Sequence, residues 1–299
     1  MTKNFAPVVL FAYKRTDHLQ NTLLSLSENA GAKDHDLFIF SDAPKGDADA
    51  KDVEAVRQYL AEYENTSVFA KCTVTYAKEH KGLAASVIGG VSAVIKEYGR
   101  VITIEDDLTF SPYFLNFMQG ALDRFEGDSR IWAVSGYTPE LDILKDYSHE
   151  LYLNYRPHSW GWATWYDRWK TVDWDVSDYD SAKINPLYYY RMCRGGNTVP
   201  SMLRAQMKGR IDSWYIRWCY NANKYDKLTV YPAHSLVRNI GFDESGTHTG
   251  ADMADKFGVS DLDRVEEFDC NDCILSDTVN REFKKFHSMS LFDRIKEKL

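Results

Sequence analysis

The first 136 residues alternate between short apolar segments and amphipathic ones, and this alternation constrains the fold most strongly. Val8–Ala12 is an uninterrupted apolar run, which is typical of a strand buried in a parallel sheet. The segment that follows has leucines at roughly helical spacing after Thr16, which we interpret as the N-cap of a helix. The pattern then repeats, and it predicts an α/β fold with a mostly parallel sheet and helices on both faces.

The repeats define the predicted elements of this half. Strands are predicted at Val8–Ala12, Asp36–Ser41, 67–77, 100–104 and Ile131–Ser135. Helices are predicted from Thr16, over 49–64, from Gly82 to Tyr98, and over Phe114–Phe125. The second half is less regular and rich in Trp and Tyr, so we expect much of it to be loops.

Charge and cysteine content narrow the class of protein. The formal charge is −8, which argues against a nucleic-acid partner because such a protein needs a basic face. No apolar run reaches the roughly 18 residues of a membrane span, and the N-terminal run is too short for a secretion signal. Five cysteines without framework spacing fit a reducing compartment, so we expect a cytoplasmic protein.

Polar side chains follow three of the predicted strands. They form three groups, which are Tyr13 to Arg15, Ser41 with Asp42, and Glu105 to Asp107. Ligands of open parallel sheets bind outside the carboxyl ends of the strands, where these groups would converge. Three adjacent acids repel one another, so they favour either a solvated loop or a bound cation. Carboxylates suit Mg²⁺ or Mn²⁺, and no GxGxxG motif or P-loop is present as an alternative phosphate site.

Eight segments, taken in order, resemble the GT-A glycosyltransferases. They are VVLFAYKRTDHLQNTLLSL, FIFSDAPKG, GLAASVIGGVSAVI, VITIEDDLTFSPYFLNFM, WAVSGY, PHSWGWATWYDRWK, RIDSWYIRW and YPAHSLVRNIGFDESGTHTG. The resemblance extends over about residues 6–250. It is to the inverting family that includes eukaryotic β-1,2-N-acetylglucosaminyltransferase I, and to bacterial family 2-like sugar transferases.

The resemblance implies a GT-A fold and a division of the chain. Residues 1–136 would form the nucleotide-sugar-binding half, 137–263 the acceptor and catalytic half of the same domain, and 264–299 a helical tail. The implied reaction transfers a sugar, N-acetylglucosamine or another hexose, from a UDP-sugar to a hydroxyl of a glycan or lipid-linked acceptor. Mn²⁺ or Mg²⁺ would bridge the diphosphate and stabilise the charge on the leaving UDP.

Several residues match donor-site positions of that family. Asp107 would contact the metal, and Asp106 would meet the ribose or support the metal site. Asp42 matches the acid that binds the uracil edge, and Arg15 matches a basic residue near the nucleotide, with Tyr13 on the same edge. One further donor-site position carries Ser86 where the eukaryotic enzyme has His.

Inverting transfer needs a carboxylate to take the proton of the acceptor hydroxyl. The resemblance assigns this base to Asp212, in a stretch where the eukaryotic enzyme has two adjacent acids before a Trp and this chain has one. A second interpretation is that Asp212 caps a helix, which the spacing of Trp214 and Trp218 predicts.

The Trp-rich segment 160–174 supports two interpretations. The spacing of Trp162, Trp165 and Trp169 is helical, and a Trp stripe of this kind is usually part of a core. We expect Trp165 and Trp169 in the core. The resemblance assigns Trp160 and Gly161 to the wall of the sugar site, which agrees with the fit of aromatic faces to sugar C–H surfaces and with the close backbone approach that glycine allows.

Two features near the end of the chain leave alternatives open. His248 could complete the metal shell, contact a phosphate, or be an exposed structural residue. Residues 281–299 carry six basic and three acidic side chains and predict an amphipathic helix. That helix could pack back on the domain, form a homodimer contact, or dock peripherally on the inner face of an anionic membrane.

Two other functions share parts of this pattern. A nucleotidyltransferase uses the same scaffold and metal–carboxylate logic, but it usually has a Gly-rich loop after the first strand, which FAYKRTD lacks. A catalytically inactive carbohydrate-binding relative would keep the aromatic site, but it would not need both Asp107 and Asp212.

Overall fold

The structure is a computed structural model that describes residues 5–243 and 251–289, and only the backbone for 251–253. Its strands are β1 (Val8–Ala12), β2 (Asp36–Ser41), β3 (Lys71–Tyr76), β4 (Arg100–Glu105), β5 (Leu108–Phe110), β6 (Ile131–Ser135), β7 (Leu151–Asn154), β8 (Trp162–Trp165), β9 (Leu228–Pro232), β10 (Val237–Asn239) and β11 (Cys273–Ile274). Its helices are α1 (Thr16–Ser27), α2 (Asp47–Thr66), α3 (Leu83–Tyr98), α4 (Phe114–Phe125), α5 (Tyr166–Trp169), α6 (Tyr179–Ala182), α7 (Pro186–Met192), α8 (Thr198–Met207), α9 (Trp214–Lys224), α10 (Ala251–Phe257) and α11 (Asp277–Phe286), with 3₁₀ turns at Ala32–Asp34 and Asp142–Leu144. No helix within these residues is long and apolar enough to cross a bilayer.

One sheet of nine strands runs through both halves of the described chain, in the order β11-β7-β9-β6-β8-β4-β1-β2-β3. Strands β4, β1, β2 and β3 are parallel neighbours, as the alternating pattern predicts. The antiparallel β8 joins them to β6, and β6 pairs with β9 in parallel. The predicted α/β class and its mostly parallel sheet are confirmed.

Helices cover both faces of the sheet. Alternate side chains of β1 point to opposite sides, as strand geometry requires. Val8 and Leu10 pack in the core that contains α1, α2 and α4, whereas Val9 and Phe11 pack in the core that contains α3 and α9. Strand β1 is therefore buried on both faces, and the carboxyl edge of the sheet is where polar groups can gather.

The helical interpretation of the Trp stripe is wrong. Trp162 and Trp165 begin and end strand β8, and only Trp169 lies in a helix, the short α5. Residues three apart in a strand face opposite sides, so Trp162 lies in the core on the α3 side and Trp165 in the core on the α1 side. The prediction that Trp165 and Trp169 belong to the core is confirmed, since they are 1% and 3% exposed.

The start of the C-terminal segment packs back on the domain. Helix α11 begins at Asp277, and its buried Phe283 contacts the rings of Tyr152 and Tyr231 at 6.4 and 5.4 Å between centroids. Residues 290–299, the last ten of the predicted tail, lie outside the described residues.

Candidate functional site

The polar groups predicted to converge do so at the carboxyl edge of β1, β2 and β4. Because these strands are parallel and in register, Phe11 of β1 pairs with Glu105 and Ala12 pairs with Ser41. The residues that follow therefore leave the sheet side by side. The Tyr13 amide donates to Asp106 Oδ2 at 3.1 Å, which ties the end of β1 directly to the acidic triplet.

Arg15 joins the last two acids of the triplet. Its Nη2 donates to Asp106 Oδ1 at 2.9 Å and to Asp107 Oδ2 at 2.7 Å. Burial opposes the charge on the guanidinium, but the two carboxylates outweigh it and raise the Arg15 pKa above its ordinary value. Arg15 thus holds the Asp106 and Asp107 side chains together.

The other oxygen of Asp107 has no partner. Asp107 Oδ1 is buried and accepts no hydrogen bond among the described residues. A buried acceptor left in this state costs about 1–3 kcal/mol, and more when it is charged. An anionic oxygen at the edge of an acidic triplet is a hard ligand of the kind that Mg²⁺ and Mn²⁺ prefer. The chemistry of Asp107 therefore fits a divalent cation.

Burial also changes the ionisation of the other two acids. It raises the pKa of the Glu105 carboxyl to about 8, and the charges of Asp107 and Asp106 add to this effect. It raises the pKa of Asp106 as well, although Arg15 opposes that rise. The acids of the triplet therefore repel one another, and a bound cation would reduce that repulsion.

A segment of the second half closes over Asp107. Strand β10 pairs with β5, so that the Ile240 amide donates to the Asp107 carbonyl at 2.8 Å. Gly241 follows, and a Cβ there would collide with Asp107 Oδ2 and approach Arg15 Nη1 to 2.9 Å. Asn239 Oδ1 accepts from the Gly241 amide at 2.7 Å and fixes this approach. No sequence pattern indicates Gly241 beyond its place in the segment 239–242, NIGF.

Asp42 is largely committed to backbone amides. Its carboxylate accepts from Ala43, Lys81 and Gly82 at 2.9, 3.0 and 2.9 Å. His80 Nδ1 also lies 3.0 Å from Asp42 Oδ2. These bonds fix the turn that leads into α3, and the assignment of Asp42 to a nucleobase stays a prediction. Ser86 lies in the first turn of α3, where its amide donates to the Gly82 carbonyl.

Tyr13 belongs to a polar cluster beside that turn, which the sequence reasoning missed in part. Its hydroxyl donates to Asp49 Oδ2 at 2.8 Å and accepts from the Lys45 amide at 3.1 Å. Its ring lies 5.4 Å from the His80 ring, centroid to centroid. Asp49 also binds Lys14 Nζ at 2.7 Å. Asp49 lies in the first turn of helix α2 instead of directly after a strand.

Trp160 contacts the segment that covers Asp107. It is partly buried, and its ring contacts Tyr137 at 4.7 Å and Phe242 at 5.5 Å. Phe242 directly follows Gly241, which places Trp160 behind the segment that covers Asp107. Gly161 has a left-handed φ of +57°, and a Cβ there would meet Val237 at 2.8 Å and Phe114 at 3.1 Å. Core packing and backbone conformation therefore account for the glycine.

Asp212 stands apart from the acidic triplet. Its side chain is 69% exposed, and its Oδ1 accepts from Arg217 Nη2 at 3.0 Å. The interpretation of Asp212 as a helix cap is wrong, because Ser213 is the N-cap of α9 and its hydroxyl accepts from the Ile216 amide. No contact between the described residues joins Asp212 to Asp107 or Arg15.

The remaining metal prediction is not covered by the structure. His248 lies outside the described residues. Within the described part, no group of three or more His, Cys, Asp or Glu side chains is arranged to hold a metal ion. Within the acidic triplet, Asp106 accepts from Arg15 and the Tyr13 amide, and Asp107 accepts from Arg15 through one oxygen and keeps the other free among the described residues.

Fold and site define an α/β protein with an acidic, arginine-bridged site at the carboxyl edge of a parallel sheet. No protein-family model and no curated protein matches the chain. Among solved structures it is similar to the mannosyltransferase PcManGT from Pyrobaculum calidifontis, in complex with GDP-Man and Mn²⁺, at 12% identity and a TM-score of 0.41, covering 74% of this chain and 70% of that one. It is also similar to S. aureus TarS, at 13% identity and a TM-score of 0.33, covering 44% of this chain and 21% of that one. A fragment of TarS in complex with UDP-GlcNAc gives 11% identity and the same TM-score.

Those TM-scores lie below 0.5, so the likenesses assign neither an activity nor a ligand to this chain. The resemblance to N-acetylglucosaminyltransferase I likewise stays a prediction from sequence.

Proposed function

We propose that this protein is a metal-dependent inverting glycosyltransferase that moves a hexose or N-acetylhexosamine from a UDP-sugar to a hydroxyl of a glycan or lipid-linked acceptor. The observation that carries the proposal is the free, buried Oδ1 of Asp107 at the carboxyl edge of β4, beside the Arg15 bridge. A buried anionic oxygen without a donor is costly in an isolated protein, and a ligand that supplies positive charge removes that cost.

In this proposal Asp107 holds Mn²⁺ or Mg²⁺, with Asp106 supporting it through their common partner Arg15. The cation, when bound, supplies positive charge where the leaving diphosphate becomes more negative. An acidic chain of net charge −8 needs such a counter-charge to retain a diphosphate. Arg15 can serve the same end with its remaining donors, because guanidinium groups match phosphate oxygens.

The nucleoside would lie beside Tyr13 and the Asp42 turn. The Tyr13 and His80 rings present aromatic surface there, and the Asp42 carboxylate holds the amides of Lys81 and Gly82 in place. The N-terminal amides of α3, which begins at Leu83, and the Ser86 hydroxyl in its first turn would offer polar contacts to a nucleotide. Trp160 and Gly161 would border the sugar from the side of β10.

Asp212 would act as general base. The acceptor oxygen forms a bond to the anomeric carbon, the bond from that carbon to the UDP oxygen breaks, and the acceptor proton passes to the Asp212 carboxylate. The exposed position of Asp212 suits a group that must meet a separate acceptor molecule. Its ion pair with Arg217 would orient the carboxylate.

A thermal-shift panel tests the donor site. Nucleotides and nucleotide-sugars are added with and without Mn²⁺ to the wild-type chain, to Asp107→Asn and to Asp175→Asn, an exposed acid away from the triplet. A donor at about 100 times its Kd stabilises the folded state by about 2.7 kcal/mol. We expect a Mn²⁺-dependent shift with a UDP-sugar for the wild type and Asp175→Asn, and a loss of it for Asp107→Asn.

Product analysis then separates the related activities. Release of UDP that requires both Mn²⁺ and an acceptor supports transfer. Release of pyrophosphate from a nucleoside triphosphate would identify a nucleotidyltransferase instead. Sugar binding without turnover of any nucleotide-sugar would identify an inactive carbohydrate-binding relative, and the proposed activity would be wrong.

A further inference from the structure

The segment between α6 and α9 has a charge opposite to that of the whole chain. Residues 181–211 contain six basic residues and no acidic one, although the formal charge of the protein is −8. The segment forms α7 and α8, which pack against α9 through buried Met192, Val199 and Leu203. Its outer side is therefore a basic surface attached firmly to the rest of the protein.

Ion pairs neutralise only part of this charge. Arg191 and Arg194 both pair with Asp226, and Lys183 pairs with Asp180. The other basic residues of the segment are Arg204, Lys208 and Arg210, which are all exposed and form no ion pair within the part of the chain that the structure describes. Arg204 and Lys208 are four residues apart and so share one face of α8.

The same segment also exposes large apolar side chains. Ile184 is 77% exposed, Leu187 is 54% exposed and Tyr190 is 63% exposed. Leu187 and Tyr190 are three residues apart on α7 and point the same way. A cleft of about 250 Å³ between α6, α7 and α8 is lined by Leu203, by Arg204 and by Lys183, which directly precedes Ile184.

We propose that this surface, formed by the outer sides of α7 and α8, docks the protein onto an anionic lipid bilayer. Exposed aliphatic and aromatic side chains beside unpaired Lys and Arg are what an interfacial membrane site requires. The apolar side chains enter the boundary between headgroups and acyl chains, and the cations meet lipid phosphates. The cleft between Lys183 and Arg204 offers a place for one headgroup.

Charge complementarity favours a bilayer over a nucleic acid as the occupant. A nucleic acid would use the cations but leave Ile184 and Leu187 in water, whereas a bilayer uses both. Attraction to anionic lipids contributes about 1 kcal/mol for each basic residue near the surface, so three unpaired cations account for roughly a hundredfold in affinity. The inference concerns binding alone and does not depend on the proposed transfer activity.

The test is co-sedimentation of the full chain with vesicles. One set is phosphatidylcholine and the other is phosphatidylcholine mixed with phosphatidylglycerol, each at low and high salt. The patch variant is Arg204→Glu with Lys208→Glu and Arg210→Glu. Its matched control is Lys33→Glu with Lys51→Glu and Lys71→Glu, which makes the same charge change at three exposed positions of the first half.

We expect salt-sensitive binding of the wild type and the control to phosphatidylglycerol vesicles only, with a loss of roughly a hundredfold in the patch variant. An apolar variant, Ile184→Ser with Leu187→Ser and Tyr190→Ser, should bind more weakly at every salt concentration. Circular dichroism confirms that each variant is folded, and the salt titration of the wild type tests the inference without any substitution.

Three results would overturn the inference. The first is no binding by the wild type, or equal binding to both kinds of vesicle. The second is an equal loss in the patch variant and its control, which would show a response to net charge alone. The third is retention by the patch variant and loss in Arg294→Glu with Lys296→Glu and Lys298→Glu, which would assign docking to the C-terminal tail.

Discussion

The donor edge of the sheet and the Trp-rich region behind α9 are built in contrasting ways. At the donor edge, side chains from β1, β4 and the β10 segment meet in a polar network, with Arg15 between Asp106 and Asp107. In the Trp-rich region, stacked rings fill the space between sheet and helices. The contacts are Trp162 to Trp169, Trp214 and Trp218 at 5.8, 5.1 and 5.6 Å, and Trp132 to Trp218 at 4.5 Å.

The contrast separates a region suited to ligand binding from a region that stabilises the fold. The polar edge keeps one buried carboxylate oxygen without a donor, a state that stability alone would not favour. The Trp region has almost no exposed surface at its centre, and Asp212 emerges beside it at the start of α9. Substitutions at the donor edge should therefore change function more than stability. Substitutions in the Trp region should change stability more than function. Asp212 is the exception, because it lies beside the Trp region but is proposed to act in catalysis.

We expect the largest effect on the transfer rate from a substitution of Asp212. Asp212→Asn removes the proposed base without changing shape, and we expect the transfer rate to fall by about 10²–10⁴-fold. UDP-sugar binding, measured by calorimetry, should stay within a few-fold of the wild type. Asp142→Asn, which alters an exposed acid paired with Lys145, is the matched control. Turnover of Asp212→Asn equal to that of the control would remove the base assignment.

The next effect concerns the Trp region itself. Trp162 is 1% exposed and lies at the centre of the stack, so Trp162→Ala should lower the free energy of unfolding by about 3–5 kcal/mol. Trp174→Ala, at the partly buried margin of the same stack, should lower it by clearly less. Urea unfolding followed by circular dichroism measures both. Equal losses would mean that the stack has no energetic centre.

The same two regions differ in how well the sequence predicts them. The donor edge depends on strands that alternate with helices, and periodicity located β1, β2, α4 and β6 to the residue. Because the polar groups directly follow strands, the topology of a parallel sheet was enough to bring Arg15 and the acidic triplet together. Gly241 could not be predicted in this way. A glycine is required there because the backbone approaches Asp107, and a local sequence pattern does not contain that contact.

In the Trp region, periodicity predicted the wrong type of element. The spacing of Trp162, Trp165 and Trp169 fits a helix, yet the first two lie in β8. That strand is inserted antiparallel between β4 and β6, so its register is set by partners distant in sequence. Tertiary pairing overrode the local pattern, and only the prediction of burial survived.

A pH dependence gives a smaller test of the second half. Burial and the charge of Arg156 lower the pKa of His158 to about 3. His158 is therefore neutral in the folded protein but gains a proton in the unfolded chain below about pH 6.5, so its contribution to stability falls as pH decreases. Between pH 7 and pH 5 the loss is about 2 kcal/mol.

The contribution of Glu105 to stability changes with pH in the opposite direction. Burial raises the pKa of its carboxyl to about 8, so this contribution falls as pH rises. The wild-type profile mixes both effects, so the measurement is a difference between variants. His158→Asn keeps an acceptor for the Trp160 amide, which lies 3.3 Å from His158 Nδ1, and should flatten the acid side of the profile. The exposed His234→Asn should not. Parallel profiles for the two variants would contradict the burial argument.

The smallest effect decides between two roles at the start of α9. Ser213 accepts from the Ile216 amide at 3.3 Å, so Ser213→Ala should lower the free energy of unfolding by about 1 kcal/mol. Asp212→Asn removes only an exposed ion pair with Arg217, which is worth between about 0 and 1 kcal/mol. Ser276→Ala, which removes the equivalent cap of α11, calibrates the measurement. A lower urea midpoint for Asp212→Asn than for Ser213→Ala would make Asp212 a structural cap after all, and any loss of turnover in that variant would then follow from a displaced helix instead of a missing base.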